Sequence, residues 1–297
     1  QGDFYMSPDP ADQIPDWLGH LLSLGSRGVD LFFVLSGYLI TGILFDSKGE
    51  SRFFRNFYIR RVLRILPLYY LSLVLFLLIV PRFLTSEQFP IKYAQEDQMW
   101  LWLHAANISF LLRGGWSLGR LDHFWSLAIE EHFYFVWPLV IFLFSRRTAM
   151  WICVLGFLAS PLARMAWLAS GGSDIAIETL TIFRLDGLLA GAWLALASRG
   201  PGGIDAIARP SRWAVLPLAV ALAGLFILQK RLALIPEAVW ALFFTATMAI
   251  LLASNATSRL KQFFELRGLR TLGKYSYAMY VFQNPLVPLV ALVVPSN

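Results

Sequence analysis

Apolar residues run through this chain in long blocks, and the polar residues between them fall in short clusters. A helix that crosses a bilayer core needs about 20 predominantly apolar residues. Blocks of that kind cover 30–46, 64–81, 124–145, 150–169, 181–198, 213–229, 236–254 and 275–294. A shorter stretch, 99–112, is too short to cross comfortably and reads as re-entrant or interfacial. No internal repeat, low-complexity linker or soluble domain interrupts the series. The pattern predicts an all-α, polytopic membrane helix bundle of about eight or nine spans, built as a single domain over 1–297.

The loops carry the orientation. Lys48, Arg52, Arg55, Arg60 and Arg61 precede one span, and Arg146 and Arg147 another. Arg199, Arg209 and Arg212 form a third group, and Arg259, Lys261, Arg267, Arg270 and Lys274 a fourth. If 99–112 does not cross, all four groups face one side, which the positive-inside rule makes cytoplasmic. Gln1 and the segment 1–27 then lie outside, as an extracytoplasmic loop. An outside N-terminus with no visible signal peptide calls for one more span upstream. The opening QGDFYMSPDPADQIPDW also begins without methionine, so the sequence reads as N-terminally truncated, about eight or nine spans of an expected ten or so.

Composition agrees with this pattern. Hydrophobic residues make up 57% of the 297 and charged residues 15%, against roughly 25% charged in an average soluble domain. Mean hydropathy is +0.59. Too few charges remain to coat a soluble domain of this size. The net charge of +6 sits in the cytoplasmic loops and does not imply a nucleic-acid partner. One cysteine, Cys153, forms neither an internal disulfide nor a cysteine zinc cluster. No His/Cys/Asp/Glu spacing suggests a metal site.

The candidate chemistry lies inside the spans. In HFWSLAIEEHFYFVWPL (123–139), the residues His123, Ser126, Glu130, Tyr134 and Trp137 recur at steps of three or four and share a helix face. Glu130 stands seven residues beyond His123, roughly 10 Å into the membrane from the outer end. An ionisable group there costs about 2.5–3.5 kcal/mol even on mild scales, so it faces a cavity or a counter-charge. Arg184 is a candidate counter-charge, and Glu131 points elsewhere on the wheel. In FRNFYIRRVLRILPLYYL (54–71), Arg61 and Arg64 stand three apart, so both guanidiniums can grip one anion. The same residues also suit topology or lipid headgroups. Pro67 falls in the early turns of its helix, where a missing N–H matters least.

Three further segments leave structural and functional readings open. In GVDLFFVLSGYLIT (28–41), Asp30 opens a span and fits an N-cap, while Ser36-Gly37 permits close packing. In FRLDGLLAG (183–191), Arg184 and Asp186 stand two apart and cannot face each other, so each needs its own partner. In LGKYSYAMYVFQNPL (272–286), Tyr275, Tyr277 and Tyr280 fit interfacial aromatics.

These five segments, in this order, resemble the acyltransferase 3 family of bacterial membrane O-acyltransferases. The likeness runs from residue 28 to 286. It implies about ten membrane helices and transfer of an acyl group, usually acetyl from acetyl-CoA, to hydroxyls of lipopolysaccharide (O-antigen), exopolysaccharide, peptidoglycan or related glycans. It implies a multi-pass protein of the bacterial inner membrane, with acyl-CoA as co-substrate, no bound cofactor, and a glycan or lipid-linked saccharide as acceptor. Arg61 and Arg64 match a motif implicated in donor binding. Glu130, Ser126 and His123 are the catalytic candidates, supported by Asp30, Arg184, Asp186, Glu131 and Tyr277. Two departures stand out. The family's first helix carries an arginine and, some ten residues on, a histidine thought to be the catalytic base. His20 precedes the GVDLFF segment too closely to be that residue, so the base is expected upstream. The late segment has Gln283 where the family commonly has histidine.

The competing reading is a multi-pass transporter or glycan flippase with intramembrane Glu, Arg and His residues along a path. It lacks the repeats and broken helices such proteins show. A non-catalytic scaffold would not carry so costly a run as Glu130-Glu131-His132. The topology has a direct test. In intact cells an impermeant thiol reagent should label Pro90→Cys and spare Asp205→Cys, and the reverse pattern would overturn the assignment.

Overall fold

The computed structural model describes residues 24–85, 89, 91–227, 236–255 and 257–293. The segment 1–23, with His20, lies outside the described residues. Among those described, every regular element is helical. In hydrocarbon each backbone N–H and C=O must be satisfied within the protein, and a helix does this within one segment. The described residues begin with a 3-10 turn at Leu24–Arg27 and the helix α1 at Gly28–Asp46. There follow α2 (Phe53–Leu73), three short helices α3 (Lys92–Glu96), α4 (Gln98–Trp102) and α5 (Ala106–Arg113), and then α6 (Phe124–Leu143). The remainder is α7 (Arg146–Ala169), α8 (Asp174–Thr179), α9 (Thr181–Ser198), α10 (Asp205–Ile227), α11 (Pro236–Ala253), α12 (Arg259–Phe264) and α13 (Arg267–Val293).

Five stretches are long and apolar enough to cross a membrane: Gly28–Asp46, Phe53–Arg82, Phe124–Leu143, Arg146–Ala169 and Asp174–Ser198. The stretch Glu237–Ala253 is apolar but shorter. The other blocks expected to span, 213–229 and 275–294, fall on α10 and α13, which run up to the edges of the described residues. The expected eight or nine spans are therefore matched by five among the described residues.

Three local expectations change. Helix α2 starts at Phe53, so Arg55, Arg60 and Arg61 lie on the helix rather than in a loop. Pro67 consequently sits in its interior, where it withholds a helical hydrogen bond. The helix continues through a π-helical turn at Val74–Ile79. The stretch 99–112 is not one helix. It divides into α4 and α5 around His104, whose φ of 53° breaks the helix, and neither half can cross. Arg113 closes this region through Glu96 at 3.0 Å and Asp97 at 2.8 Å.

The centre of the bundle is α9. Its spanning window is 67% buried, against 17% for α7, which packs along one side of it. Helix α1 crosses α9 at backbone contact. A Cβ on Gly37 would strike the Leu188 carbonyl, and one on Gly191 would strike the Val34 carbonyl. The small residues suggested by sequence thus serve packing, and they do so reciprocally.

One end of the bundle gathers the basic loops. Arg199 binds Asp46 at 2.5 Å, Lys48 donates to the Phe144 carbonyl at 2.7 Å, and Arg146 donates to the Leu196 carbonyl at 3.1 Å. The opposite end holds the turn before α1 and the starts of α6, α8, α9 and α11. Gly191→Val should lower thermal stability in detergent by about 1–3 kcal/mol, the usual range for overpacking. Gly224→Ala should leave the melting temperature unchanged or raise it, because nothing lies within 4 Å of its added methyl group.

Candidate active site

Helix α6 carries one polar face inward, as the spacing predicts. Ser126, Glu130, Tyr134 and Trp137 are all buried. Trp137 Nε1 donates to Thr41 Oγ1 at 2.7 Å, and the hydroxyls of Tyr134 and Ser36 lie 2.5 Å apart. Both contacts stitch α6 to α1. Glu130 lies against Ser36 and Tyr134, and its Oε1 has no hydrogen-bond partner among the described residues.

The cation beside Glu130 is Arg61, not Arg184. Arg61 lies over the Tyr134 ring at 5.3 Å and interacts electrostatically with both Glu130 and Glu131. Glu131 is therefore not turned away. It is half-buried, and it shares Arg61 and Tyr277 with Glu130. His132, the third member of the run, bonds through Nδ1 to Thr181 Oγ1 at 2.7 Å. Arg64 is exposed, has no ion pair among the described residues, and feels the charge of Arg61. Tyr277 is no mere interfacial aromatic, since its hydroxyl donates to the Ile65 carbonyl at 3.0 Å and ties α13 to the arginine-bearing helix.

Arg184 serves a different cluster because it lies in the first turn of α9, at the opposite end. It binds Asp30 at 2.5 Å and Glu237 at 3.5 Å, and Arg27 approaches the same two carboxylates at 3.4 and 3.5 Å. Asp30 is consequently not an N-cap. It is the third residue of α1, makes no capping hydrogen bond, and spends its carboxylate on the ion pair. Asp186 finds its own partner, as the spacing requires. Arg164 of α7 reaches it at 2.9 Å and also donates to the Phe183 carbonyl.

Asp30, Arg184, Glu237 and Arg27 border a cavity of about 1260 Å³. His123, Trp125 and Tyr280 form part of its wall, but Ser126 and Glu130 do not line it. The expected central cavity shared by Glu130, Ser126 and Arg184 is thus two separate regions. A hydroxyl pair stands between them, with Ser126 Oγ and Tyr280 Oη 2.5 Å apart. The Tyr280 hydroxyl also donates to the His123 carbonyl at 2.8 Å. His123 Nε2 contacts the Val281 carbonyl at 3.3 Å, and burial pushes the imidazole pKa down to about 4. The ring is therefore neutral near pH 7.

Sequence reasoning missed Arg27, Glu237, Arg164 and the inward role of Tyr280. The i, i+3 spacing of Tyr277 and Tyr280 was the available signal for the last, because it places both hydroxyls on one side of α13. Single charges at helix ends, such as Arg27 and Glu237, gave none.

The acyltransferase domain family matches residues 3–297. The chain belongs to the acyltransferase 3 family. It is 32% identical to YrhL of Bacillus subtilis over 287 residues, covering 89% of this chain and 44% of that protein. It is 30% identical to the peptidoglycan O-acetyltransferase OatA of Listeria monocytogenes, covering 91% of this chain and 46% of the relative. It is 27% identical to the O-acetyltransferase OatA of Staphylococcus aureus, with 91% and 47% covered. The chain thus spans less than half the length of these relatives. No solved structure matches it.

The Arg164–Asp186 pair makes a quantitative test of how these buried charges hold the bundle. Asp186→Ala should destabilise the protein by up to about 3–5 kcal/mol, because it removes a carboxylate paired with a buried cation. The double variant Arg164→Met/Asp186→Leu should recover most of that loss in thermal unfolding.

Proposed function

We propose that this chain is the membrane-embedded transferase of an O-acetylation reaction on a cell-wall glycan. The observation that carries the reading is the position of Glu130. This buried carboxylate has an oxygen without a partner among the described residues and lies between the Arg61/Arg64 region and the outer cavity. Family membership supports acyl transfer and does not favour the transporter alternative. The relative from Listeria monocytogenes is named for peptidoglycan, which supports peptidoglycan as acceptor in preference to O-antigen or exopolysaccharide.

In this reading acetyl-CoA is the donor and docks its phosphates on Arg61 and Arg64 from the basic end of the bundle. Arginine suits that task because its planar fork forms bidentate hydrogen bonds with phosphate oxygens. The acceptor hydroxyl approaches from the opposite, extracytoplasmic side of the bacterial inner membrane, on a glycan chain or a lipid-linked saccharide. Its O–H proton passes to a base, and its oxygen attacks the thioester carbonyl. The new C–O bond forms, the C–S bond breaks, and the departing thiolate takes up a proton to leave the ester and the CoA thiol. The family resemblance assigns the base to a histidine upstream of Gly28. His123 turns Nε2 to the Val281 carbonyl and offers its backbone carbonyl to Tyr280, so it acts here as a positioning residue. Glu130 supports the reaction by orienting the base or handling its proton.

The donor and chemical steps separate experimentally in full-length protein. Arg61→Ala/Arg64→Ala should weaken acetyl-CoA binding by about 10- to 100-fold, the loss expected for a charge-assisted contact. Glu130→Gln should preserve accumulation and donor binding while slowing transfer by about 10²-fold or more. Normal transfer by Glu130→Gln would remove the carboxylate from the mechanism, and failure to accumulate would make it a folding residue.

A further inference from the structure

The outer cavity has an electrostatic character that the acyl-transfer reading does not use. It is lined by the carboxylates of Asp30, Asp174, Glu178 and Glu237 and by the guanidiniums of Arg27 and Arg184. Two guanidiniums face four carboxylates. Arg184 pairs with Asp30 and Glu237, and Arg27 lies against the same two acids. Asp174 and Glu178, one helical turn apart on α8, form no ion pair with any described residue and are exposed at the cavity. His123 adds no positive charge, since its buried ring is neutral.

The hydrogen-bonding character points the same way. Glu237 Oε2 is buried without a hydrogen-bond partner among the described residues, and a carboxylate oxygen only accepts. Gln283 and Asn284 of α13 line the same space and can accept or donate. Among the described residues the cavity thus offers an excess of acceptors, and its four carboxylates outnumber its two guanidiniums. Its apolar surface includes Trp125 and a ring pair, Phe32 and Tyr280, stacked at 6.4 Å. At about 1260 Å³ the space exceeds the roughly 300–1,000 Å³ of an ordinary small-molecule pocket.

We infer that this cavity is the acceptor subsite, and that Asp174, Glu178 and Glu237 make it selective for neutral or amino-bearing saccharides over polyanionic ones. The inference rests on the acyl-transfer reading for the word acceptor, but its charge argument stands on the cavity alone. A sugar presents hydroxyl and amide N–H donors to Glu237 and the neighbouring amides, and apolar ring faces to the aromatic side chains. A phosphate or carboxylate polymer brings further acceptors and negative charge toward carboxylates that outnumber the described guanidiniums beside them, and like charges so placed are strongly rejected. The same logic keeps the phosphates of the donor out of this cavity and leaves them to Arg61 and Arg64.

The test measures equilibrium binding to full-length protein in detergent. The probes are a tetramer of N-acetylglucosamine, its de-N-acetylated counterpart and a glycerol-phosphate oligomer of similar length. Both saccharides should bind at least about ten-fold more tightly than the phosphate oligomer, a difference of about 1.4 kcal/mol. In Asp174→Asn/Glu178→Gln the preference should fall to within about three-fold, chiefly through tighter binding of the anion. Should that variant fail to accumulate, the wild-type protein still decides, because raising ionic strength must shrink an electrostatic preference. Equal affinities, a preference for the phosphate oligomer, a preference that salt does not change, or no saccharide binding would each overturn the inference. Donor binding and thioester cleavage are measured alongside with acetyl-CoA. An active enzyme that does not discriminate among the probes refutes the subsite alone. A protein inert to acetyl-CoA that still discriminates refutes the transferase reading and leaves the saccharide site standing.

Discussion

A charge placed among apolar helices must meet a counter-charge carried on another helix, because neither water nor lipid will stabilise it there. That requirement organises this bundle. Asp30 of α1 meets Arg184 of α9, Arg164 of α7 meets Asp186 of α9, and Glu237 of α11 joins Arg27 and Arg184. Each pair fixes one neighbour against α9 in rotation and in depth. The approach needed for the first pair depends on glycine. With side chains at Gly37 and Gly191 the backbones of α1 and α9 would separate, and Asp30 could no longer reach Arg184. Close packing and charge pairing therefore support each other at the same crossing.

The same economy of partners divides the polar interior into two regions. At one end Asp30 and Glu237 pair with Arg27 and Arg184 beside an open cavity that keeps an excess of carboxylates. Deeper in, Glu130 and Glu131 share Arg61 and the surrounding tyrosines. Helix α13 touches both regions. Tyr277 donates to the α2 backbone near Arg64, and Tyr280, one turn on, bonds at the start of α6. Two hydroxyls on one face of one helix thus link the arginine-bearing segment to the wall of the cavity. Any movement of α13 would alter both regions together.

Much of this was legible in the amino-acid order because it follows from periodicity and from the energetics of the bilayer. The long apolar blocks require helices, the recurrence of His123, Ser126, Glu130, Tyr134 and Trp137 requires one buried face, and the two-residue spacing of Arg184 and Asp186 requires separate partners. The five segments, read together, pointed to the family to which the chain belongs. Helix boundaries were less legible. Arginines on the first turns of α2 look like loop residues, since a helix may continue into the polar interface without any change in apolar pattern.

Tertiary structure alone decided which charge meets which. Spacing along a helix states which way a side chain faces, but the partner stands on a helix distant in sequence, at a depth set by packing. By sequence Arg184 was a candidate counter-charge for Glu130. The glycine crossing of α1 and α9 brings Asp30 within 2.5 Å of it, and Glu130, two turns deep in α6, is left to Arg61. By the same assembly Glu237 joins the cavity and Ser126 is shielded from it, because the position of each depends on how five helices meet and not on any one of them.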